Sequence, residues 1–427
     1  MRQRRLSLAS VRTCALGAAL VLSVLAVVNE ARDTSLDFAT RYAAGVTTSE
    51  GHDPYDFEVL APVEERLVGH EFDYPFRDPP PVAYAYAAVS IVPLAPAAVL
   101  WLVVSIGAAL VCVLLAARLA GLPGGRNTWL WVGVIALNFA PFRNGLALEQ
   151  IDPFVAALTL IGFAAARSPG GGLLQAIAVL KPQTTLLATA GGIVRGRTRF
   201  AVSLLAGSAL LVGASAVASA LRGGPTWGGW LATVQGAGSG TTPWYVAAFI
   251  GALALVVVFA RRAWRSLQSE GLDRSVATFI VAICVNGVLL SFVFLNLHSL
   301  ALILVPLAVA ALRAGSTMVD EALLGVVAGV FFVDGLFAVS YYSGIAHAVL
   351  PLAVAALIAL AAASAFPARR GAVVIALATN IALTVPPFRP EAHRWWAAAA
   401  ALLLLVHLGR AARPKGDVPG GVLAQPG

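Results

Sequence analysis

PAAVLWLVVSIGAALVCVLLAAR, residues 96–118, decides the fold of this chain. No charged residue interrupts the run before Arg118. As a helix rising about 1.5 Å per residue it is long enough to cross the roughly 30 Å of bilayer hydrocarbon. Working outward, apolar runs recur near 12–28, 129–141, 152–166, 200–221, 246–260, 275–294, 299–313, 320–341, 345–365, 371–386 and 396–410. Lipid offers the backbone no hydrogen bonds, so segments of this kind cross as helices that satisfy their own amides and carbonyls. The expected fold is therefore an all-α polytopic membrane protein of about twelve transmembrane helices.

Composition agrees with that reading. Of 427 residues, 59% are hydrophobic and 12% charged, about half the charged share of an ordinary soluble domain. The net charge of +8 does not point to nucleic acid, because the basic residues sit in short clusters between apolar runs. These are Arg2, Arg4 and Arg5; Arg195, Arg197 and Arg199; Arg261, Arg262 and Arg265; Arg369 and Arg370; and Arg410, Arg413 and Lys415. With a basic N-terminus inside, counting across puts every cluster on one side, the positive-inside pattern, with both termini cytoplasmic. Residues 1–28 resemble a signal peptide in their basic start and apolar centre, but no convincing small-residue cleavage site follows, so they read as an uncleaved first helix. Cys14, Cys112 and Cys284 fall inside apolar runs and read as small core residues. Residues 1–413 read as a single membrane domain, and the Pro/Gly-rich residues 414–427 as a disordered cytoplasmic tail.

Two apolar stretches do not read as simple spans. Residues 79–94 open with Pro79, Pro80 and Pro81 and meet Pro93, which predicts a dip into the outer face. Residues 172–193 are split by Lys181 and Pro182, which predicts a re-entrant or broken helix. Irregular backbone at membrane depth is tolerated where it lines a cavity, so both stretches are cavity candidates.

The polar residues converge on the expected outer face. The longest outer loop, Asn29 to Asp78, carries most of the acids outside the bilayer, including Asp37, Asp53 and Asp78. Asp37 is followed by Phe38, Arg41 and Tyr42, an amphipathic run that could lie along the membrane surface. Its plainer reading is a solvated acid or a partner for Arg41. Phe142-Arg143-Asn144-Gly145 and Glu149-Gln150-Ile151-Asp152-Pro153 share a short outer loop, and Asn296-Leu297-His298 stands between two further runs. A lysine such as Lys181 inside an apolar stretch costs several kcal/mol unless it faces a cavity or a partner, or snorkels to the surface. Carboxylates, a histidine and cations on one face suit sugar transfer from a lipid phosphate: a carboxylate takes the acceptor proton and cations hold the departing phosphate. Composition alone leaves open a polytopic transporter or lipid flippase, for which Asp334 inside a span would be the residue to test, and a noncatalytic membrane partner.

The order of motifs narrows this. Asp37-Phe38, His52-Asp53-Pro54-Tyr55-Asp56, Phe72-Asp73-Tyr74-Pro75, Pro79-Pro80, Pro93-Leu94, Gln150-Ile151-Asp152, Lys181-Pro182-Gln183 and the stretch Asn296 to Pro306 occur in that sequence. Together, over roughly residues 15–410, they resemble glycosyltransferase family 87, a GT-C group that includes polyprenol-phosphate-mannose-dependent mannosyltransferases. The resemblance implies a GT-C-like bundle with residues 29–80 as the outer catalytic loop. It makes Asp37 the general base of an inverting transfer, and His298, Lys181 and Arg41 contacts for the donor phosphate or supports of the cavity. It puts His52, Asp53, Tyr55, Tyr74 and Gln150 on the acceptor side or in loops that shape it. It also implies a polyprenyl-phosphate sugar, with mannose foremost, as donor, a lipid or envelope glycan as acceptor, and membrane lipids as surroundings. No metal, cofactor or nucleic acid is called for. The chain departs from the family pattern where Phe76, Arg77 and Asp78 interrupt a Tyr-Pro-Pro, and where Glu149 stands in place of a glycine.

Overall fold

The computed structural model describes residues 8–34, 36–72, 75–122, 124–125, 127–236, 243–293, 297–313, 317–332, 345–382 and 392–410. Every element among them is helical. The expected Tyr74, Asn296, Asp334 and residues 414–427 lie outside the described residues.

Each predicted apolar run falls at least partly on a helix, and among the described residues three helices are long and apolar enough to cross a membrane: Ala9–Ala31, Leu94–Leu119 and Thr189–Arg222. Several of the others are shorter because breaks cut the runs. Residues 129–141, for example, form a helix only over Thr128–Asn138, after which Phe139 turns extended and a separate helix, Ala140–Ala147, begins. The figure of about twelve spans is thus an expectation from the apolar runs rather than from helix length.

The chain divides into two compact units, each assembled from separated segments. One contains residues 1–29, 109–144 and 248–427; the other contains 30–108 and 145–247. In the first, Asn138 donates to Ser23 Oγ at 2.7 Å, the Phe139 ring meets Phe142, Phe331 and Phe332, and helix Met318–Phe331 packs closely on Arg370–Ala382. At that unit's basic end Asp320 lies 3.6 Å from Arg410, and Glu270 pairs with Arg313.

The second unit holds most of the chemistry-bearing residues. Its first part, read as an outer loop from sequence, is largely helical: α1 (Leu8–Thr34) runs into it, followed by α2 (Leu36–Ser49) and α3 (Phe57–Val68). Asp56 caps α3 by accepting from the Glu58 amide at 3.0 Å, and Gly69 ends it in the left-handed conformation. Then come α4 (Pro80–Val89) and α5 (Leu94–Leu119). A proline lacks the N–H that an interior helix position needs, so Pro79 and Pro80 mark the start of α4 and Pro93 separates it from α5. Gly45 lets α2 and α4 touch backbone to backbone, since a Cβ there would lie 2.4 Å from the Tyr86 carbonyl. Phe38, Tyr42, Tyr55, Phe76, Tyr86, Ile151 and Val155 fill the core between these helices.

The expected break near Lys181 is present. Helix Pro169–Ala178 stops, Lys181 precedes the four-residue helix Pro182–Thr185, and helix Thr189–Arg222 follows. Arg197 has φ 50° and ψ −137°, so this last helix is bent at its basic cluster, between the broken stretch and the apolar run that starts at 200.

Candidate active site

The site grows from one face of α2. Asp37 and Arg41 are four residues apart and so lie one above the other, while Phe38 and Tyr42 form the adjoining apolar face. Both rings are buried, and Phe38 meets Tyr42, Tyr86 and Trp101. This packing fixes the helix and leaves Asp37 half-buried and Arg41 buried.

Arg41 is held on three sides. Its Nη1 donates to the Asp37 carbonyl at 3.2 Å, its Nε to Asp78 Oδ2 at 2.5 Å, and its Nη2 to Gln150 Oε1 at 2.7 Å. Burial opposes the cation, but Asp78, Tyr86 and Asp37 outweigh it, so its pKa lies above the ordinary arginine range. The interruption by Phe76, Arg77 and Asp78 therefore has a structural use. Asp78 supplies the counter-ion, while Phe76 stacks on Tyr55, whose hydroxyl donates to the Asp78 carbonyl at 2.6 Å.

Gln150 joins the two halves of this cluster. Its Oε1 accepts from Arg41 and, at 3.2 Å, from Lys181 Nζ. With two cations at the oxygen, the amide nitrogen must face the other way, and it donates to Asp37 Oδ2. Lys181 does not snorkel to a surface: it is 4% exposed and lies 2.5 Å from Asp152, which is fully buried and also accepts from Thr184 at 2.9 Å. Two buried cations thus stand among three carboxylates, with one amide aimed at Asp37. The arrangement can orient a carboxylate toward an incoming hydroxyl and hold positive charge behind it.

The remaining expected residues divide. Asp53 accepts from the Tyr55 amide at 3.1 Å and from Thr226 at 3.0 Å, and His52 is exposed, so these shape the turn before α3. His298 belongs to the other unit, where its Nδ1 lies 3.0 Å from Asn144 Oδ1. Asp78, Asp152 and Thr184 did not stand out in sequence as members of the site. The signal for two of them was present in register: Asp152 lies two residues after Gln150, and Thr184 lies three after Lys181 at the same helix start.

Bilayer-length apolar helices and a carboxylate set among buried cations suit a membrane-embedded enzyme. Residues 76–246 match the model of Glycosyltransferase family 87, which supports membership of that family. No curated protein and no solved structure matches it. The matched stretch includes Asp78, Gln150, Asp152 and Lys181, while Asp37 and Arg41 precede it.

Proposed function

We propose that this membrane glycosyltransferase moves a sugar, mannose foremost, from a polyprenyl-phosphate donor to a lipid or envelope glycan acceptor on the outer face of the membrane, with inversion. The observation that carries the reading is the Asp37–Gln150 contact, fixed from behind by Arg41 and Lys181. Asp37 takes the proton of the acceptor hydroxyl as that oxygen forms its bond to the anomeric carbon. The bond from the anomeric carbon to the phosphate oxygen breaks on the opposite face, and the electron pair leaves with the polyprenyl phosphate. Gln150 keeps one carboxylate oxygen engaged, so Asp37 meets the acceptor in a single orientation. A lipid-bound donor suits a protein whose apolar helices reach across the bilayer, because the lipid tail stays in hydrocarbon while the head group reacts.

Transfer of labelled mannose from polyprenyl-phosphate mannose to lipid acceptors in membranes, with wild type and Asp37→Asn at matched expression, tests this. Replacing a general base is expected to lower turnover by about 10²–10⁴-fold. Equal transfer by both proteins would remove Asp37 from the role, and no transfer by either would remove this donor.

A further inference from the structure

The Glu149 backbone has a φ of 51°, in the left-handed region that favours glycine. A glutamate there is strained, and strain of this kind gathers at functional sites. The residue is also 3% exposed, and Oε2 has no hydrogen-bond partner among the described residues. An orphaned buried carboxyl oxygen is costly, so this position carries two unfavourable features in one residue. Trp101 Nε1 donates to the Glu149 carbonyl at 3.0 Å, and the next residue is Gln150, so the side chain is presented from a fixed turn beside the Asp37 cluster.

A second orphan lies in electrostatic reach. The Tyr86 hydroxyl is buried without a partner among the described residues, and its phenol interacts with Glu149, Arg41, Asp78 and Asp37. A carboxyl oxygen and a phenol that both lack partners among the described residues, beside a transferase's carboxylate, match what a sugar hydroxyl needs, because it donates one hydrogen bond and accepts others.

We propose that Glu149, together with Tyr86, forms a subsite that binds a hydroxyl group of the transferred sugar or of the acceptor, and so helps set which sugar or acceptor this enzyme takes. The inference rests on the glycosyltransferase reading above. In the reaction Glu149 binds and positions; no bond to it is made or broken. Burial pushes its carboxyl up to about 8, so at neutral pH it is a neutral acid able to donate as well as accept.

The test compares wild type with Glu149→Ala, Glu149→Gly and Glu149→Gln for transfer and for thermal midpoint in detergent. Glu149→Gly relieves the backbone strain, so its midpoint should equal or exceed that of wild type while transfer falls about tenfold or more. Glu149→Ala should lose transfer to the same degree, and Glu149→Gln, which keeps a donor and an acceptor, should recover most of the loss. A rise in KM for the donor assigns the hydroxyl to the transferred sugar, and a rise in KM for the acceptor assigns it to the acceptor. If Ala and Gly variants keep both KM values and turnover within about twofold of wild type, Glu149 is bridged by water or is merely structural, and the inference falls while the Asp37 reading stands. If wild type transfers nothing from the mannose donor, thermal midpoints with a panel of methyl glycosides of hexoses and pentoses decide independently: stabilisation of wild type by any of them that Glu149→Ala lacks supports the subsite, and its absence with all of them overturns it.

Discussion

At the residue scale, the site depends on buried charges that cannot stand alone. Lys181 and Asp152 are 4% and 0% exposed, and Thr184 occupies the second Asp152 oxygen. Removing one partner of such a pair leaves an uncompensated charge, with a cost of about 3–5 kcal/mol. Lys181→Met should therefore lower the unfolding midpoint in detergent sharply, and adding Asp152→Asn should restore much of it. A Lys181→Met protein with an unchanged midpoint would show that the pair does not form. Sequence reading located Lys181 as an anomaly because a lysine in an apolar stretch has few alternatives. It could not choose its partner, because Asp152 lies 29 residues away and only the fold brings the two together. Glu149 makes a different residue-scale prediction. Its carboxyl rises from the usual 4.5 to about 8 in the fold, so between those values the folded state holds a proton that the unfolded chain has released. Stability from this group is full below about 4.5 and is lost as pH rises toward 8. The midpoint of wild type should thus fall more steeply between pH 5 and 8 than that of Glu149→Gln, about which thermal scans across that range would decide.

At the element scale, the short helices at the start of the second unit place the site. Asp37, Arg41 and the buried Phe38 and Tyr42 were legible as an amphipathic run, since i and i+4 spacing survives in the sequence whatever surrounds it. That residues 29–80 are mainly helical was not legible. Helices α2 and α3 are short, Pro62 interrupts the second, and alanine, threonine and glycine blur the apolar stripe that would have announced them. What seats α2 is Gly45, against the backbone of α4. Gly45→Ala would place a methyl 2.4 Å from the Tyr86 carbonyl, so the helices must part. Because this contact carries Asp37 and Arg41 toward Asp78, the substitution should cost about 1–3 kcal/mol and reduce transfer even in the fraction that folds. Normal specific activity in the folded fraction would show that the α2–α4 approach does not govern the site.

At the scale of the whole molecule, the membrane class was legible from composition and from runs such as residues 96–118, because nothing but lipid accommodates so many uncharged apolar helices. The division into two interleaved units was not, since it depends on which helices touch, and apolar residues that face lipid look the same in sequence as those that face protein. The crossing number is the prediction that belongs here. Among the described residues three helices satisfy both length and apolarity for a crossing, yet the arginine clusters fall on one side only if the other apolar helices also cross. Labelling single cysteines with a membrane-impermeant maleimide in intact cells, in a background lacking Cys14, Cys112 and Cys284, reads this directly. His52→Cys should label from outside, whereas Arg197→Cys and Arg369→Cys should label only after the membrane is opened. Labelling of Arg369→Cys in intact cells would mean an odd number of crossings between residues 197 and 369. One apolar helix in that interval would then lie along the membrane instead of through it, and the cytoplasmic C-terminus would no longer follow from the charge pattern.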